Sequence, residues 1–151
     1  MHLRIKGKPR KVPVSLCKKA TKWYAKKLLT QKTYKEIYVD LEFSTNDLAC
    51  DEDGAVVWND TNMRGRDYTM TIRPNMGIRS TLLSIAHEMV HRKQDELGLI
   101  KDPMAAGKDG SPIENQAHAV AGILMREYGR KNKQIYQEGF VSNAQREMVA
   151  S

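Results

Sequence analysis

A chain of 151 residues, 40% hydrophobic and 28% charged, is long enough to bury a substantial core, and its composition suits one soluble domain over residues 1–151. No apolar run approaches the ~20 residues that span a bilayer, and the start, MHLRIKGKPRKVPV, carries positive charge without the apolar stretch of a secretory signal. Cys17 and Cys50 are far apart and form no CxxC pair, which argues against a disulfide framework or a thiolate metal site and leads us to expect a reducing, cytoplasmic setting without membrane partners. The net charge of +7 is unevenly spread: residues 1–35 hold 12 Lys and Arg and no acid, whereas the remaining 116 residues carry 13 basic and 18 acidic side chains. A segment this basic either binds phosphate backbones through counterion release or is simply a solvated face.

In chain order, residues 1–13 read as an irregular basic arm broken by Gly7, Pro9 and Pro13. A helix is expected from an N-cap at Ser15 to about Thr30. Leu16, Ala20, Trp23 and Leu28 share one side of it, and Lys18, Lys19, Lys22 and Lys26 lie elsewhere as candidate nucleic-acid contacts. Trp23, Tyr24 and Tyr34 are candidates for stacking on bases, although Trp23 at this spacing also suits a core. EIYVDLEF alternates through Ile37, Val39, Leu41 and Phe43, as a half-buried strand does; AVVW and DYTMTI, after turns at DEDG and NDTNMRGR, supply two more. Helices follow at about 79–97, ended by Gly98, and 112–128, ended by Gly129, with a short one near 143–149. Helix, small mainly antiparallel three-stranded sheet, then helices is an α+β arrangement.

The chemistry sits in SIAHEMVHRKQ, residues 84–94. Histidines at i and i+4 stand one above the other on a helix, so His87 and His91 can converge on one ion, and Glu88 beside it can serve as general base and acid. On a 100° wheel the pair flanks the apolar stripe of Leu82, Leu83, Ile85, Ala86, Met89, Val90 and Leu97, as ligands in a cleft wall or two satisfied boundary histidines would. An HExxH arises in roughly 0.5% of shuffled chains of this composition. A zinc site open to water needs a third protein ligand. The metzincin spacing would put Gly and His where Gln94 and Leu97 stand, so that class is excluded. The later helix offers Glu114, on its apolar face, and His118 one turn on. Glu114 is equally the fourth residue of Ser111-Pro112-Ile113-Glu114, a capping box. Ligand and cap are therefore rival readings of one carboxylate, with His118 the alternative ligand or a supporting group.

HExxH followed by Glu114, Ala117, His118, Ala121 and Ile-Leu-Met at 123–125 resembles the ImmA/IrrE-type metallopeptidases and, more broadly, the gluzincins; the lead-in from Tyr68 to Gln94 is similar to compact minimal zincin domains, SprT-like ones included. The resemblance covers about residues 68–128. It departs from the family pattern in having His118 where Asp or Asn is commoner, and no third histidine of the SprT-like kind between 91 and 118. It implies a compact zincin-like fold of a kind common in phages and mobile elements. One zinc would be held by His87, His91 and Glu114, with Glu88 as base, and a protein or peptide substrate would pair with the strand at 68–73. An oxyanion donor is needed as well, and Tyr128, Arg126 and Tyr68 are the candidates, Tyr128 being equally suited to the core. The rival function is nucleic-acid binding through residues 1–35, with zinc structural or absent.

Overall fold

The computed structural model describes residues 1–46, 48–49, 52–58 and 67–133. These form an α+β structure: β1 (His2–Lys6), α1 (Val14–Leu28), α2 (Gln31–Glu36), β2 (Tyr38–Phe43), β3 (Gly54–Trp58), β4 (Asp67–Ile72), α3 (Ile78–Glu96), α4 (Pro103–Ala106) and α5 (Pro112–Lys131). The helix expected near 143–149 and the turn at 59–66 lie outside the described residues.

The sheet has four strands in the order β1-β2-β4-β3, not three, and it is mixed. β1 pairs with β2 and β2 with β4 in parallel; only β3 and β4 run antiparallel. The missing strand is the supposed basic arm. Leu3 and Ile5 turn toward the core while His2, Arg4 and Lys6 face solvent. Arg4 lies opposite Asp40 in the register and grips it with two hydrogen bonds of 3.0 and 2.9 Å, while Lys6 approaches the same carboxylate at 3.3 Å. Cross-strand charge pairs of this kind favour one register over its neighbours. The Arg4 guanidinium holds the Asp40 carboxyl below its ordinary range. Gly7 then ends β1 in a left-handed conformation (φ 74°), where a Cβ would stand 2.6 Å from the Phe43 carbonyl oxygen. Only glycine allows the chain that close. Beyond it the segment stays tied down, with the Arg10 N–H on the Pro74 carbonyl at 2.8 Å and Val12 buried.

The first helix starts earlier and ends sooner than its sequence suggests. Pro13, not Ser15, occupies the N-cap, with no side-chain cap. The chain breaks at Leu29, and the Thr30 hydroxyl caps the short α2 by accepting the Thr33 N–H at 3.2 Å. That threonine competes with continuing the helix, as hydroxyl side chains do at helix starts.

The sheet's apolar positions, Val39, Leu41, Phe43, Met70 and Ile72, meet the expected stripe of α3, Leu82, Ile85, Ala86, Met89 and Val90, in one core with α1. Leu83 and Leu97, placed in or beside that stripe by the wheel, are 40% and 59% exposed. Behind α3 lies α5, buried through Ala117, Ala121, Leu124, Met125 and Tyr128. Full burial of one such aliphatic side chain contributes about 1.5–3 kcal/mol. The result for function is that α3 is held on both sides, by the sheet and by α5, so side chains on its flank are fixed relative to both.

Candidate metal centre

α3 and α5 bring five of the singled-out side chains together, His87, Glu88, His91, Glu114 and His118. His87 and His91 lie one turn apart on α3, with ring centroids 4.5 Å apart and planes at 88°. Their Nε2 atoms are 2.9 Å apart. The Glu114 carboxylate reaches across from α5, with Oε2 3.1 Å from His87 Nε2 and Oε1 2.9 Å from His91 Nε2. His87, His91 and Glu114 are each 13–15% exposed at the side chain, so the donor atoms sit in a cleft wall. His87, Glu88 and His91, and separately His87, Glu114 and His118, have donor atoms close enough to hold a metal ion.

The Glu114 carboxylate points at the two histidines and not back at the Ser111 backbone. Ser111 does cap α5, its hydroxyl accepting the Glu114 N–H at 3.1 Å. The reciprocal half of a capping box is replaced: the Ser111 N–H donates to the Lys108 carbonyl at 3.1 Å, and the Glu114 carboxylate is turned to the histidines. The Ser111 cap and the contact of the Glu114 carboxylate with the histidines therefore coexist. His118, 70% exposed, stands at the rim with Nε2 3.8 Å from Glu114 Oε2 and its ring 4.5 Å from that of His87. Burial, then the neighbouring His91 and His118, pushes His87 down to about 4, so its ring is neutral at neutral pH, as a ligand must be.

Glu88 is 5% exposed and faces the same cleft. Burial, reinforced by the Glu114 and Glu52 carboxylates, pushes its carboxyl up to about 8. Its neighbour on the sheet side is Gly54, where a Cβ would fall 3.3 Å from Glu88 Cγ, 3.0 Å from Ile72 Cδ1 and 3.2 Å from the Thr71 carbonyl oxygen. The start of β3 thus fits against Glu88 because it carries no side chain there.

The cleft has a volume of about 540 Å3 and runs between β3 on one side and α5 with the 100–109 connection on the other. Of the three oxyanion-donor candidates, Tyr68 lines it. Its hydroxyl donates to Asp95 Oδ2 at 3.3 Å, and the Arg92 guanidinium lies 4.7 Å from its ring centre; burial raises its phenol above the ordinary value. Tyr128 is not at the cleft. It is 3% exposed in the core, with ring centroids 5.4 Å from Trp23 and 5.9 Å from Tyr24. Arg126 is exposed and does not line the cleft. The strand expected as the sheet edge, 68–73, is the interior β4, and the edge beside the cleft is β3. His2 is on the opposite edge, stacked on Tyr38 at 4.3 Å.

One residue of the site had no role in the sequence reading beyond excluding a spacing. Gln94 is 2% exposed and its Oε1 lies 2.8 Å from His91 Nδ1. Its position three residues after His91, on the same helix face, was the available signal. Lys18, Lys19, Lys22 and Lys26 are all exposed on α1. Tyr24 is fully buried and offers no face to a base, while Trp23 lies half-buried against the core. Among the described residues no helix is long and apolar enough to cross a membrane. No family model, curated protein or solved structure matches this chain.

Proposed function

We propose that this chain is a small zinc-dependent peptidase of the minimal gluzincin kind, akin to the ImmA/IrrE-type enzymes it resembles in its HExxH and Glu114 segments. One observation carries the reading. Three electron-pair donors from two helices, His87 Nε2, His91 Nε2 and the Glu114 carboxylate, converge at 2.9–3.1 Å. Two imidazoles and a carboxylate are a catalytic zinc set. Zinc bonds of ~2.0–2.1 Å in a tetrahedral array set donors about 3.3 Å apart, so the triangle suits the ion after shifts of a few tenths of an ångström.

Bound zinc would supply Lewis acidity toward a scissile carbonyl and lower the pKa of water enough to yield a nucleophile near neutrality. With the cation's charge beside it the Glu88 carboxyl would ionise, so that it could take a proton from the attacking water and deliver it to the leaving amine. Its burial excludes solvent from that transfer, and Gly54 keeps β3 from displacing it. Of the three candidate donors Tyr68 lines the cleft, and to steady a developing oxyanion its hydroxyl would turn its hydrogen away from Asp95. β3, at the sheet edge, offers main-chain pairing to an extended peptide.

The test combines metal analysis with cleavage. Purified protein should hold one zinc per chain, and His87→Ala and His91→Ala should each abolish it. Glu88→Gln should keep zinc and fold but lose cleavage of a mixed peptide library that the wild type cuts. Stoichiometric zinc in both histidine variants, or wild-type cleavage by Glu88→Gln, overturns the assignment.

A second reading, nucleic-acid binding, draws on the exposed lysines of α1. It is compatible with the first, since these side chains lie outside the cleft.

A further inference from the structure

Gln94 is a buried amide whose oxygen and nitrogen both have partners. Oε1 lies 2.8 Å from His91 Nδ1; Nε2 donates to the Ile113 carbonyl at 3.0 Å and to Gln116 Oε1 at 2.8 Å. The orientation of the amide follows from chemistry. A backbone carbonyl only accepts, so the atom facing Ile113 must be the nitrogen, and the oxygen must then face His91. An amide oxygen also only accepts. His91 Nδ1 therefore carries the hydrogen, and in the neutral ring Nε2 is left with its lone pair.

That nitrogen faces the site 2.9 Å from Glu114 Oε1, a spacing at which two bare electron pairs call for a cation between them. The same amide reaches Ile113 and Gln116, which flank Glu114 in the first turns of α5. One side chain thus holds the proton away from the donor atom of one ligand and fixes the helix that delivers another.

We infer that Gln94 is the positioning residue of the metal centre, holding His91 in the form that ligates through Nε2 and locking the first turns of α5 to α3 at the level of Glu114. The inference rests on the metal reading above. Groups that orient a ligating histidine in this way are worth about 10–100-fold in metal affinity.

The experiment measures zinc affinity by chelator competition, at a temperature where each variant is folded, together with the nitrogen shifts of the His91 ring at pH 8 in the metal-free protein. Wild type should show His91 protonated at Nδ1. Gln94→Met, close in volume but without an acceptor, should bind zinc about 10–100-fold more weakly and show a mixture of His91 tautomers. Gln94→Glu, which keeps the acceptor toward His91, should bind more tightly than Gln94→Met. A purely structural role would lower the melting temperature of Gln94→Met while leaving zinc affinity and tautomer unchanged, and that result overturns the inference. So does a wild-type His91 protonated at Nε2, a measurement that stands even if Gln94→Met fails to fold. Wild-type protein that takes up no zinc removes the metal reading and this inference together, whereas zinc bound equally by wild type and Gln94→Met removes this inference alone.

Discussion

Glu88 shows what a single residue contributes here and what it costs. It is buried beside the Glu114 and Glu52 carboxylates, and its carboxyl is raised to about 8 from an ordinary 4.5. In protein stripped of metal the linkage has a definite sign. Below about pH 4.5 the carboxyl is neutral in both folded and unfolded chains and carries no penalty. As pH rises from there to 8 the unfolded chain ionises first, and stability is lost. Glu88→Gln does not titrate, so the metal-free variant should melt progressively higher than metal-free wild type across that window, with the gap level above it. Melting curves with parallel pH dependence would contradict the burial argument. The HExxH spacing was legible because i and i+4 are set by helix geometry alone. Gln94 was not, because Ile113 and Gln116, which orient its amide, come from another helix, 19 and 22 residues further on.

Helix α5 separates two effects that share one tetrapeptide. Ser111→Ala removes the hydroxyl that accepts the Glu114 N–H and should lower stability by about 1 kcal/mol, with zinc still bound. Glu114→Ala leaves that hydroxyl in place and should lower zinc affinity by orders of magnitude. Denaturant melts and chelator competition on the two variants check the pair; a fully metallated Glu114→Ala would shift the third-ligand role to His118. Elements with a strong period were readable: β2 and β4 by alternation, α3 and α5 by their apolar stripes. β1 was not, since its period rests on Leu3 and Ile5 alone and is interleaved with His2, Arg4 and Lys6. The mixed sheet was not readable either. Three consecutive strand patterns suggest hairpins, whereas β2 pairs in parallel with β4 and leaves β3 outside, a choice made by helices packing on the sheet and not by local pattern.

At the scale of the whole molecule the charge asymmetry takes a particular form. Arg4 and Lys6 are engaged by Asp40, whereas Lys18, Lys19, Lys22 and Lys26 form an exposed positive face on α1. The protein should bind DNA weakly and without sequence preference, with affinity falling steeply as salt rises. Reversing those four lysines to Glu should abolish this and leave zinc content unchanged. Fluorescence anisotropy with a labelled duplex at several salt concentrations checks it, and absence of binding even at low salt would remove the nucleic-acid reading without touching the metal centre.

The two margins of the sheet have opposite characters. Along β1 the outward side chains are His2, Arg4 and Lys6, and lysine or arginine on a border strand discourages another chain from adding to it. Along β3 the border opens on the cleft, beside Glu88. Within the described residues, a stray extended segment from a neighbouring copy is therefore directed to the same border that a substrate would use. Under the proposed peptidase reading, self-association by strand addition and peptide cleavage would exclude one another, and a crowded solution of this protein would compete with its own substrate.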